Sequence, residues 1–306
     1  MAFSVRLFNQ EEDLFPLVEL HNAVESAEGG DGVLTVEQLR SGLSVPNLYR
    51  WVVPVSEVPG SLAGYGVLFR QTPDRCYGDV RVHPVWRQRG IGRLLIEKLV
   101  EQAQQLSSRY LAIDVPAANK DALRFLFSQG FRFRGDSWAL VAPQGTAYPP
   151  PLWPAGSIVR SYAEVGNLPM YVELCNRTFS DLWGHWENTP GLVGEARLSE
   201  TLAEVDQAGI FLVFDAKGNA VGHCRAQASV DGDAPHFIDQ PGVVPEWRAL
   251  GVHAPLALTA ARWLRQQGDR PIHLGSWGDT AETIATYEAL GFVITAHKVS
   301  YVREIK

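Results

Sequence analysis

The chain has 306 residues, 46% of them hydrophobic and 20% charged, a composition that excludes a disordered chain, a collagen-like repeat and a membrane bundle. At about 150 residues per domain the length accommodates two domains, each able to bury its own core. Lys and Arg number 27 against 34 Asp and Glu, for a formal charge of −7, so a nucleic acid backbone finds no overall attraction and is not an expected partner.

In chain order, residues 5–8 read as a strand, and Asn9 with Glu12 three residues on reads as the cap of an amphipathic helix running to about Asn22. Thr35 caps a second short helix. Strands follow at 49–55, 62–69 and 77–82, then a helix at 91–106, a strand at 111–115, a helix at 121–129 and closing strands after Phe131. A proline cluster, Pro143, Pro149, Pro150, Pro151 and Pro154, favours a stiff extended connector. Beyond it the order repeats: strand 157–161, helices 164–177 and 196–208, strands 211–215, 220–228 and 236–244, helix 251–267, strand 272–275, helix 281–289 and closing strands to Val302. Asp215-Ala216-Lys217-Gly218-Asn219 is a hairpin turn signal.

The repetition extends to residue identities. Val82, Pro84, Trp86, Arg87, Gly90, Gly130 and Phe131 recur at an offset of 161 as Val243, Pro245, Trp247, Arg248, Gly251, Gly291 and Phe292. Nearer the start of each half, Val18 to Asn22 is echoed by Val172 to Asn176 at an offset of 154. The expected organisation is a first domain at 1–142, a proline-rich linker at 143–156 and a second domain at 157–306, both mixed α/β folds.

Cys76, Cys175 and Cys224 form no CxxC pair, which argues against a disulfide framework or a zinc site and fits a reducing cytosol. No basic-then-apolar leader opens the chain and no stretch nears the roughly 20 apolar residues that span a bilayer, so a cytoplasmic protein without membrane attachment is expected. The histidines form no HExxH or HxH pair, and no metal is expected.

The most informative segment runs from Val80 to Ile96. A strand ends, a helix begins, and Gly90 and Gly92 remove side chains where backbone N–H groups at the positive helix end meet an anion. Arg81, Arg87, Arg89 and Arg93, with no carboxylate in the window, give it a charge of +4. The matching window of the second half, 241–257, carries Glu246 and Arg248 and sums to zero. A nucleotide P-loop fails for want of a Gly-Lys-Ser/Thr ending, and a dinucleotide fingerprint fails at Leu95.

Arg87-x-x-Gly90-x-Gly92 after a Val-x-Pro strand end, with Asn119 and Gly130-Phe131 downstream, resembles the pattern of the GCN5-related N-acetyltransferase (GNAT) family. The resemblance covers both halves and is closest to the tandem, mycothiol synthase-type members. It implies two tandem acyl-CoA N-acyltransferase folds with a mixed sheet. It also implies acetyl-CoA as cosubstrate, its pyrophosphate on Arg87, Gln88, Arg89, Gly90, Ile91, Gly92 and Arg93. The pantetheine arm would run along Val80 and Val82, with Asn119 beside it. The activity implied is acetyl transfer to the amine of a small molecule by a monomer or homodimer.

That reaction needs a base for the amine proton and an acid for the departing thiolate. The family's tyrosine acid, four residues before Gly-Phe, is Leu126 in the first half and Tyr287 in the second. In the second half His253 stands where the second loop glycine belongs. Six residues before the loop proline, where some members carry a Glu base, the halves have Gly78 and Asp239, with Asp79 one residue off. Asp79, Tyr287 and Asp239 are the candidate catalytic residues, with the cofactor loop and the acid in different halves. Two other readings stay open: a non-catalytic coenzyme A binder, and catalysis in the second half. Trp183, His185 and Trp186 are candidates for an acceptor wall.

Overall fold

The computed structural model describes residues 3–29, 32–42, 46–182, 193–230 and 234–306. Two compact units emerge: the first holds 1–115, 119–133 and 300–306, the second 116–118 and 134–299. The units depart from chain order only at the closing strands and a three-residue turn.

The first unit contains β1 (Arg6–Leu7), α1 (Gln10–Ala27), α2 (Val36–Ser41), β2 (Leu48–Pro54), β3 (Leu62–Thr72), β4 (Arg75–Val82), α3 (Ile91–Gln105), β5 (Tyr110–Pro116) and α4 (Lys120–Ser128). Strands β1 to β4 are joined in order by antiparallel ladders, and β5 lies parallel to β4. Asn9 caps α1 as expected, accepting from the Glu11 N–H at 2.9 Å, and Thr35 forms a capping box with Gln38 on α2. Helix α3 buries Ile91, Leu95, Ile96, Leu99 and Ala103, a helical-period stripe. It lies close on the sheet because three strand residues beneath it lack side chains. A Cβ at Gly64, Gly66 or Gly78 would stand 2.6, 3.1 or 2.5 Å from Ile91, Leu99 or Leu99 respectively. Each buried leucine of this stripe contributes about 1.5–3 kcal/mol of transfer free energy.

The second unit takes up β6 (Arg132–Ala142) from Arg134 onward, then β7 (Ile158–Ser161), α5 (Tyr162–Val165), α6 (Leu168–Thr178), α7 (Glu195–Glu204), β8 (Ile210–Phe214), β9 (Ala220–Gln227) and β10 (His236–Val243). It continues with α8 (Pro245–Arg248), α9 (His253–Gln267), β11 (Ile272–Trp277), α10 (Ala281–Ala289) and β12 (Val293–Glu304), the last strand passing to the first unit from Ser300. Gly166, at φ +56°, breaks the expected 164–177 helix into α5 and α6. Strands β7 to β10 form antiparallel ladders, β11 runs parallel to β10, and β6 pairs antiparallel with β11 from Ile272–Ala142 to Trp277–Ser137. In the first unit the end of β12 is tied by Ser300 to the Asp114 carboxylate and by Arg303 to the Gln129 carbonyl.

Each half thus supplies one closing strand, not several: β6 of the first half belongs to the second unit from Arg134, and β12 of the second half passes to the first unit only from Ser300. The proline segment lies within the second unit. Arg265 donates to the carbonyls of Pro143 (2.6 Å) and Thr146 (3.2 Å), and Arg262 to that of Tyr148 (2.7 Å). The three cysteines are free and buried. Among the described residues no helix is long and apolar enough to cross a membrane.

Candidate active site

In both units the two parallel strands pair briefly and then part. The β4–β5 ladder runs from Arg75–Tyr110 to Gly78–Ile113, while β4 continues to Val82 bonded only to β3, Val80 opposite Gly66 and Val82 opposite Gly64. The β10–β11 ladder ends at Ile238–Leu274. Beyond each split lies a loop and a helix start. In the first unit Gln88 (φ +62°) and Gly90 (φ +84°) are left-handed, and Gly90 is the N-cap of α3 with no side-chain cap. Leu94 N–H is the first to bond back, to the Gly90 carbonyl at 3.1 Å, so the N–H groups of Ile91, Gly92 and Arg93 point out of the helix end. Ile91 contributes only its N–H, since its side chain is in the core. A Cβ on Gly92 would meet the Phe125 ring of α4 at 3.3 Å, so the two helices come together across this glycine.

The loop's arginines are mostly engaged. Arg87 donates from Nε to the Val82 carbonyl (3.2 Å) and from Nη2 to Glu28 (2.8 Å). Arg81 binds Asp79 (2.9 Å) and Glu25 (2.6 Å), and Arg93 binds Glu97 (2.9 Å). Arg89 lies over the Trp86 ring at 4.8 Å and has no ion pair among the described residues. The +4 counted along the sequence is therefore largely offset by carboxylates from α1 and the helix itself. What remains for an anion is the uncapped N–H cluster and Arg89.

Arg248 repeats the device in the second unit, with Nε on the Val243 carbonyl (3.1 Å) and a bidentate pair to Asp181 (2.6 and 2.7 Å). Asn22 and Asn176 correspond as well: Asn22 exchanges bonds with Leu34 backbone (3.1 and 2.8 Å), and Asn176 with Val193 backbone (3.0 and 3.3 Å).

Asn119 caps α4 by accepting from the Ala122 N–H (3.1 Å) and donates to Glu28 (3.4 Å), which draws it to the Arg87 partner. Asp79 sits just past the split on the α1 side. His21 of α1 lies 4.0 Å from Glu25 in the same cluster. Burial, and then Arg81, hold its imidazole below the usual range. Leu126, in the tyrosine position, is buried.

The second unit differs. A register shift between Asp239 and Gly242 puts a bulge in β10, while the β3–β4 register is regular over the matching stretch. Asp239 is ion-paired with Arg225. Tyr287 is fully enclosed, its OH 3.5 Å from Asp279, and burial followed by the Asp279 charge raises its phenol well above the ordinary value. Asp279 accepts from Ser276 Oγ (2.7 Å), and burial pushes its carboxyl up to about 6. His253 Nε2 is 3.6 Å from Asp279, and burial, then Arg248, push the imidazole down to about 4. At neutral pH this is a carboxylate beside a neutral ring. A cavity of about 400 Å³ opens here, lined by His253, Asp279, Trp277, Phe179 and the α10 threonines among others.

Trp183, His185 and Trp186 lie outside the described residues. Glu28, Glu25, Asp279 and Ser276 went unread in the sequence. Only Asp279 left a trace there: the two halves carry Ala118 and Asp279 at matching positions. Among the described residues no three His, Cys, Asp or Glu side chains group as for a metal ion.

Residues 16–131 match the model of the acetyltransferase (GNAT) family. A mycothiol acetyltransferase of Sanguibacter keddieii is 30% identical over 76% of this chain and 75% of its own length. The chain belongs to the GNAT family. Other relatives are the mycothiol acetyltransferases of Amycolatopsis mediterranei, 29% identical over 81% of this chain and 83% of that one, and of Salinispora arenicola, 26% over 95% and 93%. In fold, a GCN5-related N-acetyltransferase from Sphaerobacter thermophilus superposes at TM-score 0.75 over 99% of this chain and 96% of that one, at 19% identity. A tandem GNAT protein of the clavulanic acid biosynthesis pathway does so at 0.57 over 100% and 99%, at 20% identity. The tandem mixed α/β architecture is thus that of two GNAT folds. As a GNAT protein the chain is an acyltransferase that moves an acetyl group from acetyl-CoA to an amine.

Proposed function

We propose that the first unit holds acetyl-CoA and that the acceptor is the primary amine of a small molecule. One observation carries this: the uncapped, doubly left-handed start of α3 adjoins the β4 edge freed by the split at Gly78–Ile113. The pyrophosphate is assigned to the N–H groups of residues 88–93 with Arg89, and the arm to the Val80–Val82 edge and Asn119. Bound there, the cosubstrate supplies an acetyl thioester. Asp79, at the split and half exposed, is assigned the amine proton as the C–N bond forms and the C–S bond breaks. Leu126 has no proton for the thiolate, which takes one from water. The reducing cytosol suits three free thiols, and the chain acts as a monomer or homodimer. The acceptor class follows the relatives, which are named for mycothiol.

Catalysis in the second unit is the other reading, favoured by the β10 bulge and by Tyr287, its acid, with Asp239 as base. His253, standing where Gly92 stands in the first unit, weighs against it. Titration calorimetry of the full chain with coenzyme A decides: Gly92→Phe abolishes a one-to-one binding event. Undiminished binding by that variant overturns the assignment. Thiol release with acetyl-CoA and a panel of amines, led by the unacetylated amine form of mycothiol, tests the activity.

A further inference from the structure

The cavity of the second unit occupies the ground that a thioester loop would serve, yet its chemistry is different. Its helix start, Gly251 to Ala254, lines the wall. Where the first unit has Gly92 and a close approach of α3 to α4, this unit has an imidazole between α9 and the residue that precedes the α10 cap. A diphosphate seated as proposed for the first unit's loop would meet that ring here. The charge is also reversed. Arg248 is the cavity's only cation among its lining residues, and Asp181 already holds it bidentately at 2.6 and 2.7 Å, whereas Asp279 and Glu282 both face the space.

The remaining wall is specific. His253 is 6% exposed and makes no hydrogen bond among the described residues, its Nε2 being 3.6 Å from Asp279, beyond bonding reach. The ring lines the cavity beside Asp279, so a polar group of a ligand can take the place of water at its nitrogens. Asp279 is fixed on one side by Ser276 and Tyr287 and keeps Oδ1 toward His253 and the cavity. Thr280, the α10 cap, and Thr283 and Thr286 line the wall; Thr286 donates to the Thr283 carbonyl (2.6 Å) and Thr280 accepts from the Thr283 N–H (3.3 Å), so these hydroxyls serve a ligand chiefly as acceptors, and Trp277 and Phe179 supply aromatic surface. A carboxylate, aromatic rings and hydroxyls in about 400 Å³ match a small cation with hydroxyl groups and reject a diphosphate.

We propose that this cavity is a binding site for a small hydroxylated primary amine, its ammonium on Asp279 and its hydroxyls on His253 and the α10 threonines. The site is distinct from the thioester loop of the first unit and goes beyond the assignment made there.

The test uses the full chain saturated with coenzyme A, titrated calorimetrically at pH 7.5 with ethanolamine, glucosamine and spermidine, and with N-acetylglucosamine as the partner lacking the ammonium. Expected is one-to-one binding of at least one hydroxylated amine, no binding of N-acetylglucosamine, and at least a tenfold loss of affinity in Asp279→Asn and in Thr283→Val. An unchanged far-ultraviolet circular dichroism spectrum and thermal transition in the two variants show that both units are folded. Absence of binding by every amine overturns the proposal, as does binding that Asp279→Asn and Thr283→Val leave unchanged. So does a second equivalent of coenzyme A that His253→Ala or Asp279→Asn removes, since the cavity is then a coenzyme site. Failure of the first-unit assignment reads out separately, through Gly92→Phe.

Discussion

His223 makes the second unit acid-labile by an amount the structure allows to be worked out. It lies on β9 at 7% exposure, with Nε2 on Thr178 Oγ1 at 3.1 Å, and its Nδ1 is buried without a partner among the described residues. Burial, opposed by Asp239 and aided by Arg225, pushes its pKa down to about 4 from an ordinary 6.5. The folded pKa is depressed, so the unfolded chain takes up the proton first. The stability is whole above pH 6.5 and is lost as pH falls toward 4. The gap corresponds to about 3 kcal/mol at full expression, most of it already lost at pH 4.5. Urea unfolding at pH 7.5 and 4.5, followed by tryptophan fluorescence, measures the loss in the native chain and in His223→Gln. Glutamine keeps a donor and an acceptor beside Thr178 but takes up no proton, so the variant's pH-dependent loss should be smaller by about 2–3 kcal/mol. Equal losses in the two proteins would refute the account, whatever their absolute stabilities.

Asp279 works in the opposite sense. Burial raises its pKa to about 6, so the stability associated with its neutral form disappears as pH rises through that value. Asp279→Asn should flatten this descent between pH 5 and 7.5, as read by thermal melts at the two pH values. Gly78→Val drives a Cβ to 2.5 Å from Leu99 beneath α3 and should cost about 2–3 kcal/mol of unfolding free energy by urea titration, the upper part of the roughly 1–3 kcal/mol usual for overpacking. Arg87→Ala should weaken coenzyme A binding less than tenfold by calorimetry, because its guanidinium is committed to Val82 and Glu28 in a half-exposed pair. Arg89→Ala, which removes the loop's unpaired cation, should weaken it more and reduce the salt dependence of binding.

The architecture was legible because it is written twice. Seven identities at one offset, the glycine-bearing loop and the caps at Asn9 and Thr35 are local signals, and each stands where helix and turn chemistry puts it, whereas the cap at Asn119 was not read in the sequence. The closing strands were not legible in the same way. A run such as 132–142 has the pattern of a strand whichever sheet it joins, and its ladder to β11 is settled by packing between segments more than 120 residues apart. Charge misled for a related reason. Arg81 and Arg87 meet Glu25 and Glu28, which are 56 and 59 residues away, so a count over seventeen neighbours along the chain overstates the field at the loop. Asp279 stayed hidden because one carboxylate next to a helix cap is ordinary until His253 is found beside it.

The two loops also separate two jobs that a single motif merges. Arg87 and Arg248 both reach back to a strand-end carbonyl and hold an acid that follows the first long helix of their own half, α1 or α6, in a unit whose loop has kept its glycine pair and in one that has lost it. An interaction present with and without the glycine pair belongs to the scaffold: it pins the segment after the helix to the end of the split strand. Ligand choice then rests on the neighbouring position. Glycine there leaves the helix-end N–H groups and the gap before the next helix open, and histidine closes that gap and turns the space toward Asp279. On the two assignments proposed above, the tandem chain keeps one frame in both units while its two clefts take ligands of opposite charge.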